Sequence, residues 1–314
     1  MIETNRIYDE TCLETLRKME SESIDCIITS PPYWQLRDYG YDGQWGLEPT
    51  FNEYLEHLWS MMDEAYRVLK PQGTCWVNLG DTYNGNKVGN TSNKGYNENT
   101  EISTFRKEKI EGIKDKCLLL IPHRFAIGCI DRGWIVRNDV IWAKRNGMPE
   151  PVTDRFSKKH EYMFFMVKSE KYYFDLDAVR DKNTTPQKSI DSQKRGLEPG
   201  GYAKAVGMSD GYSGGVGYCE NGKNPGSVSD FWDIPTKPSG SKHYAVYNDA
   251  LIAKPILAGC PEGGVIYDPF MGSGSTAEAS LRANRLFIGS EMSKEYMKIS
   301  EKRLEPFLNQ YKLF

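Results

Sequence analysis

Short apolar strands alternate with longer amphipathic helices through the first half of the chain, and this alternation limits the fold more than any other feature. After Asn5 to Tyr8, the stretch Thr11 to Met19 has helical spacing, and Ile24 to Ile28 reads as a buried strand. The apolar positions Tyr54, Leu55, Leu58, Met62, Ala65, Tyr66 and Leu69 then recur every three or four residues, as on one face of a helix. Asn52 is the expected cap of that helix, and Pro71 and Gly73 its stop. Cys75 to Leu79 resumes as a strand, Pro122 to Ile130 as a helix, and Ile135 to Trp142 and Tyr162 to Val167 as strands. Regular structure returns from Asp249 onward, and no internal repeat is found. Alternation of this kind predicts an α/β layer fold with a mostly parallel sheet.

Two stretches break the rhythm. Residues 84–116 are rich in Gly, Asn, Ser and Lys, and residues 181–241 contain GYAKAVGMSDGYSGGVGY. Both read as long loops or an inserted subdomain, and loops this long inside a compact domain are usually functional or disordered. The 314 residues carry a net charge of −3, so any polyanionic partner must be met by a local basic face. The 7 cysteines lack a C-x-x-C pair and read as free thiols of a reducing compartment, and 4 histidines leave little material for a zinc site. No apolar run is long enough to span a bilayer, and MIETNRIYDE lacks the apolar region of a signal peptide. A cytoplasmic protein without a membrane partner is expected.

Residues 265–276, VIYDPFMGSGST, run from a strand through Asp268, Gly272 and Gly274 into a helix starting near Ser275. Glycines let the backbone approach a ligand, and a helix N-terminus offers unpaired N–H groups. Glu291 follows the next strand, Leu286 to Gly289, where an acid can bind ribose hydroxyls. The turn lacks both the G-x-G-x-x-G spacing and the G-K-[ST] ending. A nucleoside ligand without phosphates remains, with Asp268 positioned for a cationic amino group, and S-adenosylmethionine has these features. A plain strand-to-helix turn with a solvated acid is an equal reading of this stretch alone.

The second motif is TSPPYW, residues 29–34, at the end of the Ile24 to Ile28 strand. Ser30-Pro31-Pro32-Tyr33, followed much later by DPFMGSGST and Glu291, resembles the amino-DNA methyltransferases. The order, with the catalytic motif first, resembles their circularly permuted β group. Residues 134–175 and 231–256 resemble further segments of that group. The resemblance implies a Rossmann-like, seven-stranded, mostly parallel sheet made of a catalytic half (1–180, with a polar insertion at 84–116) and a cofactor half (242–314). Between them, 181–241 is the implied target-recognition region. It implies S-adenosylmethionine as cofactor, held by Asp268, Pro269, Phe270, Gly272, Gly274, Ser275, Thr276, Glu291 and, at the adenine position, Thr11. Three departures stand out: Thr11 replaces an acid in Glu10-Thr11-Cys12-Leu13, His243 to Asn248 lacks the proline of the family's H-(P/F)-A-x-F-P, and the glycine-rich loop ends in Ser275-Thr276.

Transfer to an exocyclic amino nitrogen explains the proline corner. Such a nitrogen is conjugated to its ring and is a poor nucleophile. Ser30 Oγ and the Pro31 carbonyl are the expected acceptors for its protons, pre-positioned by consecutive prolines. Tyr33 is expected to stack on a base extruded from the helix. Lys144, Arg145, Arg155, Lys158 and Lys159 are the expected phosphate contacts to double-stranded DNA, so charge reversal at Arg155 and Lys158 is expected to weaken DNA binding. Lys87, Lys94, Arg106, Lys107 and Lys109 could serve likewise or be a solvated face. Asp25, Cys12, Cys26 and the pair His160-Glu161 are read as structural. Serine at the first motif position is more typical of cytosine-N4 enzymes, with adenine-N6 the alternative. A catalytically silent DNA-binding module and an RNA or protein methyltransferase are further alternatives. A cognate restriction endonuclease and a second copy of the chain complete the expected partners.

Overall fold

The computed structural model describes residues 2–85, 109–147, 150–180, 228–236 and 249–311. Eight strands form one sheet: β1 (Arg6–Tyr8), β2 (Ile24–Thr29), β3 (Leu69–Leu79), β4 (Ile135–Ala143), β5 (His160–Val167), β6 (Phe231–Asp233), β7 (Val265–Asp268) and β8 (Leu286–Ser290). Their order across the sheet is β1-β8-β7-β2-β3-β5-β4-β6. Only the β3/β5 and β5/β4 pairs are antiparallel. The helices are α1 (Cys12–Lys18), α2 (Phe51–Val68), α3 (Ile121–Asp131), α4 (Leu176–Val179), α5 (Asp249–Gly259), α6 (Ser275–Arg282) and α7 (Lys294–Tyr311).

Strand side chains alternate between two faces, and the core divides accordingly. Ile27, Cys75, Val77, Phe164 and Met166 pack in one cluster with Leu16, Tyr54, Leu58 and Phe125 of α1 to α3. Cys26, Ile28, Trp76, Met163 and Phe165 pack in the other with Leu251, Ile252 and Ile256 of α5. Asp25 ties three strands together, accepting from Lys70 Nζ at 2.8 Å and from the Val265 N–H at 2.9 Å.

Three expectations are corrected. The sheet has eight strands, not seven, because Phe231–Asp233 pairs in parallel with the outer edge of β4 and buries Trp232. That strand lies inside the 181–241 region assigned to target recognition, of which 181–227 and 237–241 fall outside the described residues. The cap of α2 is Thr50, not Asn52: its hydroxyl accepts from the Glu53 N–H while the Glu53 carboxylate accepts from the Thr50 N–H. The strand after α2 starts at Leu69 rather than Cys75, so Pro71 and Gly73, which follow the helix end at Val68, already lie inside β3, where the register against β2 slips between Ile24 and Cys26. The slip leaves Pro71, which has no N–H, outside the regular ladder. Gly73 is required there, since a Cβ would sit 2.9 Å from the Asp25 carbonyl.

The chain divides into two compact units, Met1–Phe174 with Asp230–Phe314, and Asp175–Ser229. In the second, α4 is capped by Asp175, which accepts from the Ala178 N–H at 3.0 Å. No helix among the described residues is long and apolar enough to cross a membrane.

Candidate functional site

β2 and β7 are parallel neighbours, with Ile27 opposite Tyr267. The turns after them therefore leave the same edge of the sheet, where α/β folds place their ligand crevices. One bond joins the two turns directly: Thr29 Oγ1 donates to Asp268 Oδ1 at 2.9 Å. The residue before Ser30 and the acid of the glycine-rich turn are thus in contact across 239 positions of sequence.

Asp268 is fully buried. Besides Thr29, it accepts from the Phe270 N–H at 3.0 Å and from Thr276 Oγ1 at 2.6 Å. Burial pushes its carboxyl up to about 6 despite these bonds. The solvated-acid reading is overturned, and so is direct contact with a cationic amino group in this arrangement, because the carboxylate is fully buried between Thr29 of β2 and its own turn. Gly272 and Gly274 have φ of +55° and +81°, and a Cβ on Gly274 would lie 2.9 Å from Ser300 Cβ. Glu291 is buried, accepting from the N–H groups of Gly272 (2.8 Å) and Ser293 (2.7 Å), and burial raises its carboxyl above the ordinary range. Ser275 and Thr276 are turned inward, Ser275 towards Arg303 Nη1 at 2.6 Å. Thr11, Pro269, Phe270 and Glu291 line one cavity of about 30 Å³, together with Tyr41, Gln44 and Trp45. Trp45 packs edge-on against Phe270 at 5.3 Å and stacks on His57. Thr11 also caps α1, its hydroxyl accepting from the Glu14 N–H.

At the other turn, the Pro32 carbonyl accepts from Tyr54 OH at 2.8 Å, and Trp34 Nε1 donates to the Glu48 carbonyl at 2.9 Å. These bonds pin the proline corner to α2 and its approach. Tyr33 OH lies 2.7 Å from Glu161 Oε2 and 2.9 Å from Asn78 Oδ1. Ser30 Oγ lies 3.4 Å from the same Asn78 oxygen. Asn78 Nδ2 donates to the Tyr162 carbonyl at 2.9 Å, so its oxygen must face Ser30 and Tyr33. Glu161 is also paired with Lys144. The Tyr33 ring lies over Gly80, where a Cβ would meet it at 2.7 Å. A cavity of about 170 Å³ adjoins this corner, lined by Tyr33, Trp34, Gly80, Asp81, Tyr83, Glu150, Arg155 and Lys158, among others.

The profile of the N6/N4 methyltransferase family, described as DNA methylase, matches residues 24–302. The chain belongs to this DNA methylase family. Type II methyltransferase M.Cfr9I of Citrobacter freundii is 36% identical over 95% of this chain and 87% of that protein. M.SmaI of Serratia marcescens, also a Type II methyltransferase, is 33% identical over 93% and 87%. The fold matches that of the PvuII DNA methyltransferase (cytosine-N4-specific), with a TM-score of 0.63 at 19% identity over 96% of this chain and 87% of that one. TTHA0409 of Thermus thermophilus, solved with S-adenosyl-L-methionine, has a TM-score of 0.57 at 19% identity, covering 95% and 92%.

In this methylase the five cations expected to meet phosphate are partnered internally. Lys144 pairs with Glu161, Arg145 with Asp233, and Arg155 with Glu150. Lys158 donates to the Asp81 carbonyl and Lys159 to the Gly147 carbonyl. Burial lowers the Lys158 ammonium below its ordinary value. Of the five, Arg145 alone stays largely in water, its side chain 77% exposed. Lys109 pairs with Asp115, while Lys87, Lys94, Arg106 and Lys107 lie outside the described residues, as does His243 to Asn248. Asn78 and Glu161 were not singled out for the site by their sequence context. A polar residue alternating with apolar ones in Trp76-Val77-Asn78-Leu79 is the one signal for Asn78, and for Glu161 the sequence offers only a structural reading beside His160.

Proposed function

We propose that this methylase transfers a methyl group from S-adenosylmethionine to the exocyclic N4 of cytosine in double-stranded DNA. The observation that carries the reading is the Thr29–Asp268 hydrogen bond, which joins the Ser-Pro-Pro-Tyr corner to the glycine-rich turn at adjacent strand ends. The donor set suits the cofactor. The Glu291 oxygens accept the Gly272 and Ser293 N–H groups, and the carboxylate has further acceptor capacity for a ribose hydroxyl. Thr11, Tyr41, Trp45 and Phe270 offer a largely aromatic wall, and buried Asp268 supplies negative charge beneath the turn. Bound there, the cofactor would supply an electrophilic methyl group.

The protein's own residues do the rest. Ser30 Oγ and the Pro31 carbonyl accept the amino protons and keep the nitrogen lone pair directed outward. Tyr33, with its hydroxyl tethered and its ring fixed over Gly80, gives an extruded base a rigid surface to stack on. The neighbouring cavity brings Asp81 to the same corner. Its Oδ1 accepts from the Thr82 and Ile121 N–H groups, while Oδ2 is buried without a donor among the described residues. Serine at the first motif position favours cytosine, and the cytosine-N4 specificity of the PvuII enzyme, which shares the fold, supports it. The Type II relatives support a restriction–modification role.

Nucleoside mass spectrometry of DNA treated with the protein and S-adenosylmethionine tests this. N4-methylcytosine is expected, and a Ser30→Ala variant should lose it. N6-methyladenine would overturn the cytosine assignment within the same family, and no modified base on varied DNA would overturn the reaction.

A further inference from the structure

The connection between β4 and β5 holds one large side chain that the reading above leaves unused. Phe156 is 98% exposed, while the backbone on both sides of it is tied down. Arg155 Nη1 donates to Glu150 Oε2 at 2.6 Å and to the Phe156 carbonyl at 3.0 Å, and its guanidinium lies 4.1 Å from the centre of the Tyr83 ring. Two residues beyond Phe156, the Lys158 N–H donates to Glu150 at 3.3 Å and its ammonium donates to the Asp81 carbonyl. Asp154 pairs with Lys116. An apolar side chain in water is common on protein surfaces, so exposure alone assigns nothing. What distinguishes Phe156 is its position. Glu150, Arg155 and Lys158, which hold its loop, are also walls of the cavity beside Tyr33. A phenyl ring is therefore presented to solvent, on a braced loop, next to the pocket proposed for the extruded base.

We propose that Phe156 is a wedge that enters the base stack of duplex DNA and fills the space left when the target base swings out. The inference rests on the methyl-transfer reading with an extruded base. Extrusion breaks a pair and two stacking contacts, and an inserted ring restores stacking with the flanking bases. Apolar side chains, phenylalanine among them, are used in this way by proteins that unstack DNA. Bracing on both sides matters because a ring on a loose loop would lose more conformational freedom on insertion.

The test uses full-length protein and a synthetic duplex carrying the modified site as mapped by sequencing of treated DNA. Phe156→Ala should lower kcat/KM on the paired duplex on the order of ten- to a hundredfold, as expected for the loss of base–aromatic stacking. On the same duplex with an abasic position opposite the target, where no pair has to break, the variant should largely recover, and Phe156→Trp should keep activity on both. Fluorescence of 2-aminopurine in place of the target should rise on binding to the wild type and far less with Phe156→Ala. Cofactor affinity should be unchanged in both variants. An alanine variant as active as the wild type on paired DNA would overturn the wedge, and so would an equal loss on paired and unpaired targets, which marks an ordinary DNA contact. A wild-type protein that modifies no base would instead overturn the methyl-transfer reading on which the inference stands.

Discussion

Tyr33 has one hydroxyl proton and faces two acceptors, Glu161 at 2.7 Å and Asn78 at 2.9 Å. The carboxylate, paired with Lys144, is the stronger acceptor. Its claim on the Tyr33 proton leaves Asn78 Oδ1 for the proton of Ser30, and the Ser30 lone pairs are then available to an incoming amino group. The other decisive residue is Asp268, whose carboxyl titrates at about 6 in the folded chain against an ordinary 3.8. Because the folded value is raised, the contribution of this group is fully present below about pH 4 and is lost as pH rises through about 6. Asparagine could accept from Thr29 and the Phe270 N–H and donate to Thr276 without titrating. Urea unfolding of wild type and Asp268→Asn at a series of pH values should show the wild type losing stability relative to the variant between about pH 4 and 6, then a constant difference above. A difference independent of pH would contradict the burial of an ionisable group there.

Element α2 shows how local chemistry reaches the site. Its buried face includes Phe51, Tyr54, Leu55, Leu58 and Met62, and the hydroxyl of Tyr54 pins the Pro32 carbonyl. The start of the helix therefore positions the proline corner. Thr50→Ala removes one side of the capping box and should cost about 1 kcal/mol. Asn52→Ala, at an exposed position beyond the cap, should stay within about 0.5 kcal/mol. Thermal melts of the two variants separate the assignments. The capping box was legible, since Thr50 and Glu53 have its T-x-x-E spacing. Asn52 competes for the same role because asparagine and threonine both cap well, and only the backbone conformation selects between them.

At the scale of the whole molecule, the basic side chains of the β4–β5 connection are spent on internal partners, which changes what charge reversal reports. Arg155 is only 22% exposed, beside Glu150 and over Tyr83. Arg155→Glu would set two carboxylates together and is expected to lower the melting temperature, so weakened DNA binding by that variant would not identify a phosphate contact. Arg145→Glu should leave the melting temperature nearly unchanged, as its pair with Asp233 is solvent-exposed. If it meets phosphate, the slope of log affinity against log salt should fall by about one. Melting curves with filter binding over a salt series distinguish the two arginines.

The alternation of strand and helix, the turns at Ser30 to Tyr33 and Asp268 to Ser275, and the acid at Glu291 were all determined by the sequence itself. Each depends on near neighbours: strand and helix periods, proline stiffness, glycine backbone freedom. Pairing across the sheet was decided only by tertiary structure. Phe231–Asp233 is too short to read as a strand until β4 supplies its partner. Asn78 and Glu161 join Ser30 and Tyr33 only because β2, β3 and β5 lie side by side. Arg145 and Lys158 of the β4–β5 connection find Asp233 and the Asp81 carbonyl far away in sequence. Burial and long-range pairing are set by which elements pack together, and no local pattern in the chain encodes that.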